Sequence, residues 1–173
     1  MSPLKTFVIL ILLVSAGCTR GMNSGSVAVE EPNPLVSEAE SGNFVEGQSG
    51  QTYVAIYSHL LLRDEGLQVS LQGTMSIRNM NLKHQLKIDR IGYYKTNGDL
   101  VRENLKKPIV IKPFGSYEVV VRTSDLDGGS GAKFILNWKT ELGAKNPPLV
   151  EAIFTGQRGT GTFAFLSRGV DIL

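Results

Sequence analysis

Val69-Ser-Leu-Gln-Gly-Thr-Met-Ser-Ile-Arg-Asn79 alternates without a break. Val69, Leu71, Gly73, Met75 and Ile77 fall on one face; Ser70, Gln72, Thr74, Ser76 and Arg78 fall on the other. That period of two is the signature of a strand with one buried face. The same rhythm returns in Lys133 to Lys139, with Phe134, Leu136 and Trp138 inward, in Tyr117, Val119 and Val121, and in Phe163 and Phe165. Shorter apolar runs occupy Tyr53 to Tyr57, Leu86 to Tyr94, Ile109 to Ile111 and Leu149 to Thr155. Between Ile88 and Ile91 the phase slips, which places a bulge near Arg90 and Gly92. Turn sequences punctuate the runs, among them Asn97-Gly98-Asp99, Asp127-Gly128-Gly129 and Asn146-Pro147-Pro148, and Asn-Gly favours a tight hairpin. About eight short strands without an amphipathic helix predict an all-β fold, an immunoglobulin-like β-sandwich over residues 50–173.

The N-terminus reads differently. Lys5 precedes the apolar run Phe7 to Val14, followed by Ser15, Ala16, Gly17 and Cys18. This order of charge, apolar core and small residues is that of a secretory signal peptide. The run is far shorter than the ~20 residues that cross a bilayer as a helix. Ser-Ala-Gly-Cys resembles the bacterial lipobox, in which the cysteine is lipidated and the chain is cut before it. Ser15 stands where the usual pattern has leucine. Cys18 is the only cysteine, so an intramolecular disulfide or a thiolate redox pair is excluded. Lipidation gives that lone thiol a role, since several acyl chains on one residue anchor stably. The expected divisions are residues 1–17 as signal peptide, 18–49 as lipidated Cys18 with a tether, and 50–173 as the sandwich. The implied partner is a membrane, held through lipid on Cys18. Thr19, in place of aspartate, points to the outer membrane of a two-membraned cell, and otherwise to the outer face of the plasma membrane.

Residues 19–49 are rich in Ser, Gly, Glu, Asn and Pro and lack periodicity. Such a stretch buries too little apolar surface to offset its ordering entropy. As a flexible tether of about 31 residues it would span roughly 30 Å. Without Lys5 the mature chain carries 17 basic against 16 acidic side chains, which gives no footprint for nucleic acid.

Tyr53-Val-Ala-Ile-Tyr-Ser-His59, Ser76-Ile-Arg-Asn79, Tyr93-Tyr94, Gly128-Gly-Ser-Gly-Ala132, Asn146-Pro-Pro-Leu-Val-Glu-Ala152 and Ser167-Arg-Gly169 resemble a bacterial lipoprotein family. It is known only as domain of unknown function thirty-one twenty-four. The likeness covers about residues 50–170. It implies compartment and architecture and brings no mechanism with it.

The remaining motifs have bland explanations beside chemical ones. Gly128 to Ala132 falls one residue short of a G-x-S-x-G elbow, which needs a helix to follow. It departs from a calcium repeat at Lys133. His59 and His84 lack a marked third zinc ligand. Asp125 and Asp127 could share a hard cation, yet two carboxylates are too few alone, and turn caps explain them. Trp138 reads as core. Arg102, Lys106, Lys107 and Lys112 form a local basic patch. Arg78, Arg90 and Arg168 share strand or strand-end positions with polar neighbours, and their pairing as buried partners with Asp125 or Asp127 is the structural alternative to ligand binding. Because loops at one end of a sandwich converge, Tyr57, Ser58, His59, Asp125, Asp127 and Arg168 are expected to gather as a polar cluster, either a binding site or a plug. No cofactor is implied. The leading expectation is a non-enzymatic module for an envelope protein or a glycan. The alternative is an envelope hydrolase or metal-dependent enzyme using His59, Asp125 and Asp127.

Overall fold

The computed structural model describes residues 36–38, 44–62 and 66–173. The expected signal segment, Cys18 and most of the expected tether lie outside the described residues. Within them run β1 (Val36–Glu38), β2 (Glu46–Ile56), β3 (His59–Leu62), β4 (Leu67–Arg78), β5 (Leu86–Tyr94), β6 (Leu100–Glu103), β7 (Ile109–Ile111), β8 (Ser116–Val121), β9 (Ala132–Glu141), β10 (Leu149–Arg158), β11 (Gly161–Arg168) and β12 (Val170–Asp171). The fold is all-β, and the strands form two antiparallel sheets. The first runs β1-β7-β5-β9-β2-β12, with β6 on β5; the second runs β11-β10-β4-β3, with β8 on β4. The chain changes sheet repeatedly, from β2 to β3, β4 to β5, β7 to β8, β8 to β9, β9 to β10 and β11 to β12.

The eight strands expected from periodicity are all present. The four additional ones are short (β1, β3, β6 and β12) and carry too few residues to display a period. Two stretches expected to belong to the tether are paired instead. Val36–Glu38 hydrogen-bonds alongside Ile109–Ile111, and Glu46 to Ser49 form the first part of β2. Backbone pairing needs no apolar face, so composition could not reveal it.

The core lies between the sheets. Val69, Leu71, Met75 and Ile77 of β4 are buried, as are Phe134, Leu136 and Trp138 of β9. Trp138 donates its indole N–H to Thr52 Oγ1 at 2.9 Å, so the one polar atom of the buried ring is satisfied. Phe154 stacks on Phe165 at 5.0 Å and meets Tyr57 edge-on at 5.5 Å. Gly73 faces Phe154 so closely that a Cβ there would strike the ring. In β5 the register slips between Ile88 and Arg90, which makes Asp89 the extra residue of the bulge. Beyond it Tyr93 turns inward and is fully buried, while Tyr94 stays half-exposed.

Candidate functional site

Of the expected cluster, Ser58 and His59 meet the glycine loop at one end of the sandwich, here termed the glycine-loop end, while Tyr57 packs against Phe154 and Phe165. Ser58 is fully buried. Its N–H and its hydroxyl both donate to Gly129 O, at 3.3 and 2.9 Å, and its carbonyl accepts from Leu71 N. His59 Nδ1 lies 3.0 Å from Ser58 Oγ. The single hydroxyl proton is committed to Gly129, so the imidazole donates and Nδ1 carries the proton. Gly128 and Gly129 are pinned from the other side by Thr96, whose N–H and hydroxyl donate to Gly128 O. Gly129 takes φ +79°, the left-handed region that glycine enters freely.

Asp125 belongs to the same loop but faces a different partner from those expected. Arg102 Nη2 donates to Asp125 Oδ2 at 2.6 Å, and its Nε donates to Asn104 Oδ1 at 3.1 Å. The guanidinium stands 4.6 Å from the Tyr93 ring centre, a cation–π contact. Arg78 instead approaches Glu151 at 3.8 Å, and Arg90 binds Glu103 through Nε at 2.9 Å. Burial pushes the Tyr93 phenol up to about 12, and the Asp125 carboxylate adds to the shift. Three buried polar atoms of this group lack a hydrogen-bond partner: Tyr93 Oη, Asn104 Nδ2 and Asp125 Oδ1. The Tyr93 hydroxyl lies against Gly128, where a Cβ would overlap it. Asp127 stays exposed, its charge acting on Tyr93 from a distance.

Arg168 is not part of the cluster. It pairs with Glu151, which is level with Ser76 of β4, whereas His59 is level with Ser70. Six residues of strand separate the two levels, about 20 Å, and β10 and β4 stand between their strands. The β10–β11 hairpin reverses the chain and returns Arg168 to the opposite end.

A second feature escaped the sequence. On the outer face of the second sheet, Gln68, Ser70, Gln72, Thr155, Gln157 and Thr162 line a concavity of ≈ 410 Å³. β3 and β8 both pair with β4, one along Leu67 to Ser70 and the other along Gly73 to Arg78. The gap between them opens the wall, and His59 stands beside Ser70 at its edge. Its polar lining side chains are amides and hydroxyls without charge, and Val69 and Gly156 complete the wall. Ser70 and Gln72 were legible as an outward face, but only strand order brings Thr155, Gln157 and Thr162 beside them. One row further along, Val120, Thr74, Ile153 and Leu166 lie side by side across four strands. Val120, Ile153 and Leu166 are exposed.

The other end of the sandwich is closed by two asparagines. Asn79 Nδ2 donates to His84 O, Ile111 O and Lys112 O, at 2.8, 3.2 and 3.2 Å. Its Oδ1 accepts from Asn81 N and Nδ2. Asn81 in turn donates to Asn146 O and accepts from the N–H groups of Lys145 and Asn146. Two side chains thus tie together three loops, residues 79–85, 112–115 and 142–148.

These features define a class: an all-β protein of two antiparallel sheets, closed at both ends by buried polar side chains. Within that class the chain belongs to the family described as protein of unknown function, DUF3124, which matches residues 49–172. No curated protein matches it. A solved structure, that of Thermotoga maritima 1070, is similar at a TM-score of 0.42 and 11% identity, over 70% of this chain and 92% of that one.

Proposed function

We propose that the protein is a lipid-anchored lipoprotein of the bacterial cell envelope whose sandwich is a non-enzymatic binding or scaffolding module. The observation that carries the anchor is the lone Cys18, placed directly after Lys5, the apolar run Phe7 to Val14 and three small residues. The binding role is supported by how the candidate chemical groups are used. His59 donates to Ser58, and Asp125 receives Arg102, so both contribute to closing the glycine-loop end. The neutral concavity beside His59 offers amides and hydroxyls, the chemistry that pairs with an uncharged polyhydroxylated ligand. A glycan of the envelope is therefore the favoured partner there. On this reading the frame is immunoglobulin-like, with the repeated crossings between sheets as its support.

The anchor is tested by expressing the full chain and its Cys18→Ala variant with a labelled fatty acid. The parent chain is expected to take up label and to yield a mature N-terminus at a lipid-bearing Cys18. The variant is expected to take up none and to keep residues 1–17. A mature parent chain starting elsewhere, or carrying no lipid, sinks the reading.

A further inference from the structure

We infer that the asparagine end of the sandwich docks onto an anionic phospholipid surface. The three loops tied by Asn79 and Asn81 present apolar side chains to water. Leu82 is 69% exposed, Phe114 65% and Leu142 63%, with Met80 nearby. Phe114 is the only non-glycine residue at positive φ among the described residues, at 57°. It occupies the third position of the turn Lys112-Pro113-Phe114-Gly115, closed by Gly115 N to Lys112 O, a place where glycine is the usual choice. The backbone is held against its preference while an aromatic ring stands in solvent. Such combinations mark surfaces that meet something apolar.

Charge selects the partner. Lys83, Lys112 and Lys145 surround these side chains and are exposed. None has an ion pair among the described residues. Two carboxylates near this end are engaged: Glu141 accepts from Gln85 N at 2.7 Å, and Glu46 accepts from Lys139 at 2.6 Å. A shallow concavity of ≈ 200 Å³ lies between Met80, Leu82, Lys83, His84 and Lys145, suited to a phosphate headgroup beside short apolar contacts. Apolar tips ringed by lysine are the pattern of interfacial attachment, with the tips in the acyl boundary and the cations among headgroups.

The chain path agrees. Val36 of β1 pairs with Ile111, next to Lys112. Glu46 of β2 pairs with Glu141, next to Leu142. The exposed Val45 accepts from Leu142 N. Both N-terminal strands therefore start at this end, the one an N-terminal anchor would bring toward the membrane. The inference rests on the lipoprotein reading for this orientation only; the lysines and apolar tips stand without it.

Residues 32–173 form a compact unit of their own and lack both Cys18 and the apolar N-terminus, so the test uses that fragment. It is mixed with vesicles of phosphatidylcholine alone, or of phosphatidylcholine with phosphatidylglycerol, and sedimented. Binding is expected on the anionic vesicles, weakening as salt shortens the screening length. Lys83→Gln, Lys112→Gln and Lys145→Gln are each expected to weaken it about fivefold. Leu82→Gln combined with Phe114→Gly is expected to weaken it at least tenfold. Phe114→Gly removes the ring while relaxing the backbone, so this variant should melt no lower than its parent, and lost binding cannot be put down to misfolding. Absent binding, equal binding by the variants, or equal affinity for both vesicles would overturn the inference. So would a self-associating fragment whose dimer the same variants abolish. Failure of the lipoprotein reading would show instead in the mass at Cys18 of the full chain.

Discussion

The asparagine end is closed by the buried side chains of two neutral amides; the glycine-loop end adds to the buried Ser58 hydroxyl an ion pair, a phenol and a third amide. The amides of Asn79 and Asn81 carry donors and an acceptor each, and backbone groups from three loops use both kinds. No side-chain atom of either is orphaned. The ion pair is harder to complete. Asp125 only accepts and Arg102 only donates, and one contact leaves Asp125 Oδ1 unmatched beside Tyr93 Oη and Asn104 Nδ2. A group with both polarities can be closed by backbone alone, whereas a charge must find its complement in number as well as in sign.

If that contrast is correct, Asn79→Ala is the most damaging of three substitutions. It would leave the His84 carbonyl and the N–H of Asn81 without their side-chain partner and strip one of two donors from Lys112 O, at a cost of about 3 kcal/mol in urea unfolding. A loss under about 1 kcal/mol would mean that water closes this end equally well. Arg102→Ala comes next, at about 2 kcal/mol. Asp125 is left mostly buried, but the Arg102 side chain is 36% exposed, so water recovers part of the loss. In the background of Asp125→Asn the same change should cost about 1 kcal/mol less, and full additivity would deny that the pair is coupled.

Tyr93→Phe should have the smallest effect. It removes a buried hydroxyl that lies against the Gly128 backbone without a well-formed hydrogen bond, so stability is expected to stay level or rise by up to about 1 kcal/mol. Its signature lies in alkaline titration. The phenol ionises near 10.0 when unfolded and about 12 when folded, so its contribution is complete below pH 10 and lost as pH climbs toward 12. The phenylalanine variant should lose less stability over that window. Parallel curves for the two proteins would show that Tyr93 titrates as it does in water.

Which of Tyr93 and Tyr94 turns inward was not legible in the sequence, whereas the inward faces of β4 and β9 and a bulge in β5 near Arg90 and Gly92 were. Each is a local property, since side chains alternate with period two and a slip in phase shows within a few residues. Ser58 and His59 do meet the glycine loop, as loop clustering in a sandwich leads one to expect, but nothing in the sequence set their strand ends apart from the end that carries Arg168. Arg168 was misplaced because a strand-end position does not say which end. The partner of Asp125 was misassigned for a related reason: Arg102 lies on a four-residue strand, too short to declare which way it faces.

Periodicity and turn chemistry act between near neighbours, so the residues alone mark the buried faces and the turns. Which loops share an end, which arginine meets Asp125, and the meeting of Gln72, Gln157 and Thr162 in one concavity emerge with the folded sheets. Those outcomes depend on the order of strands in two sheets, and that order is set by the joint packing of residues far apart in the chain.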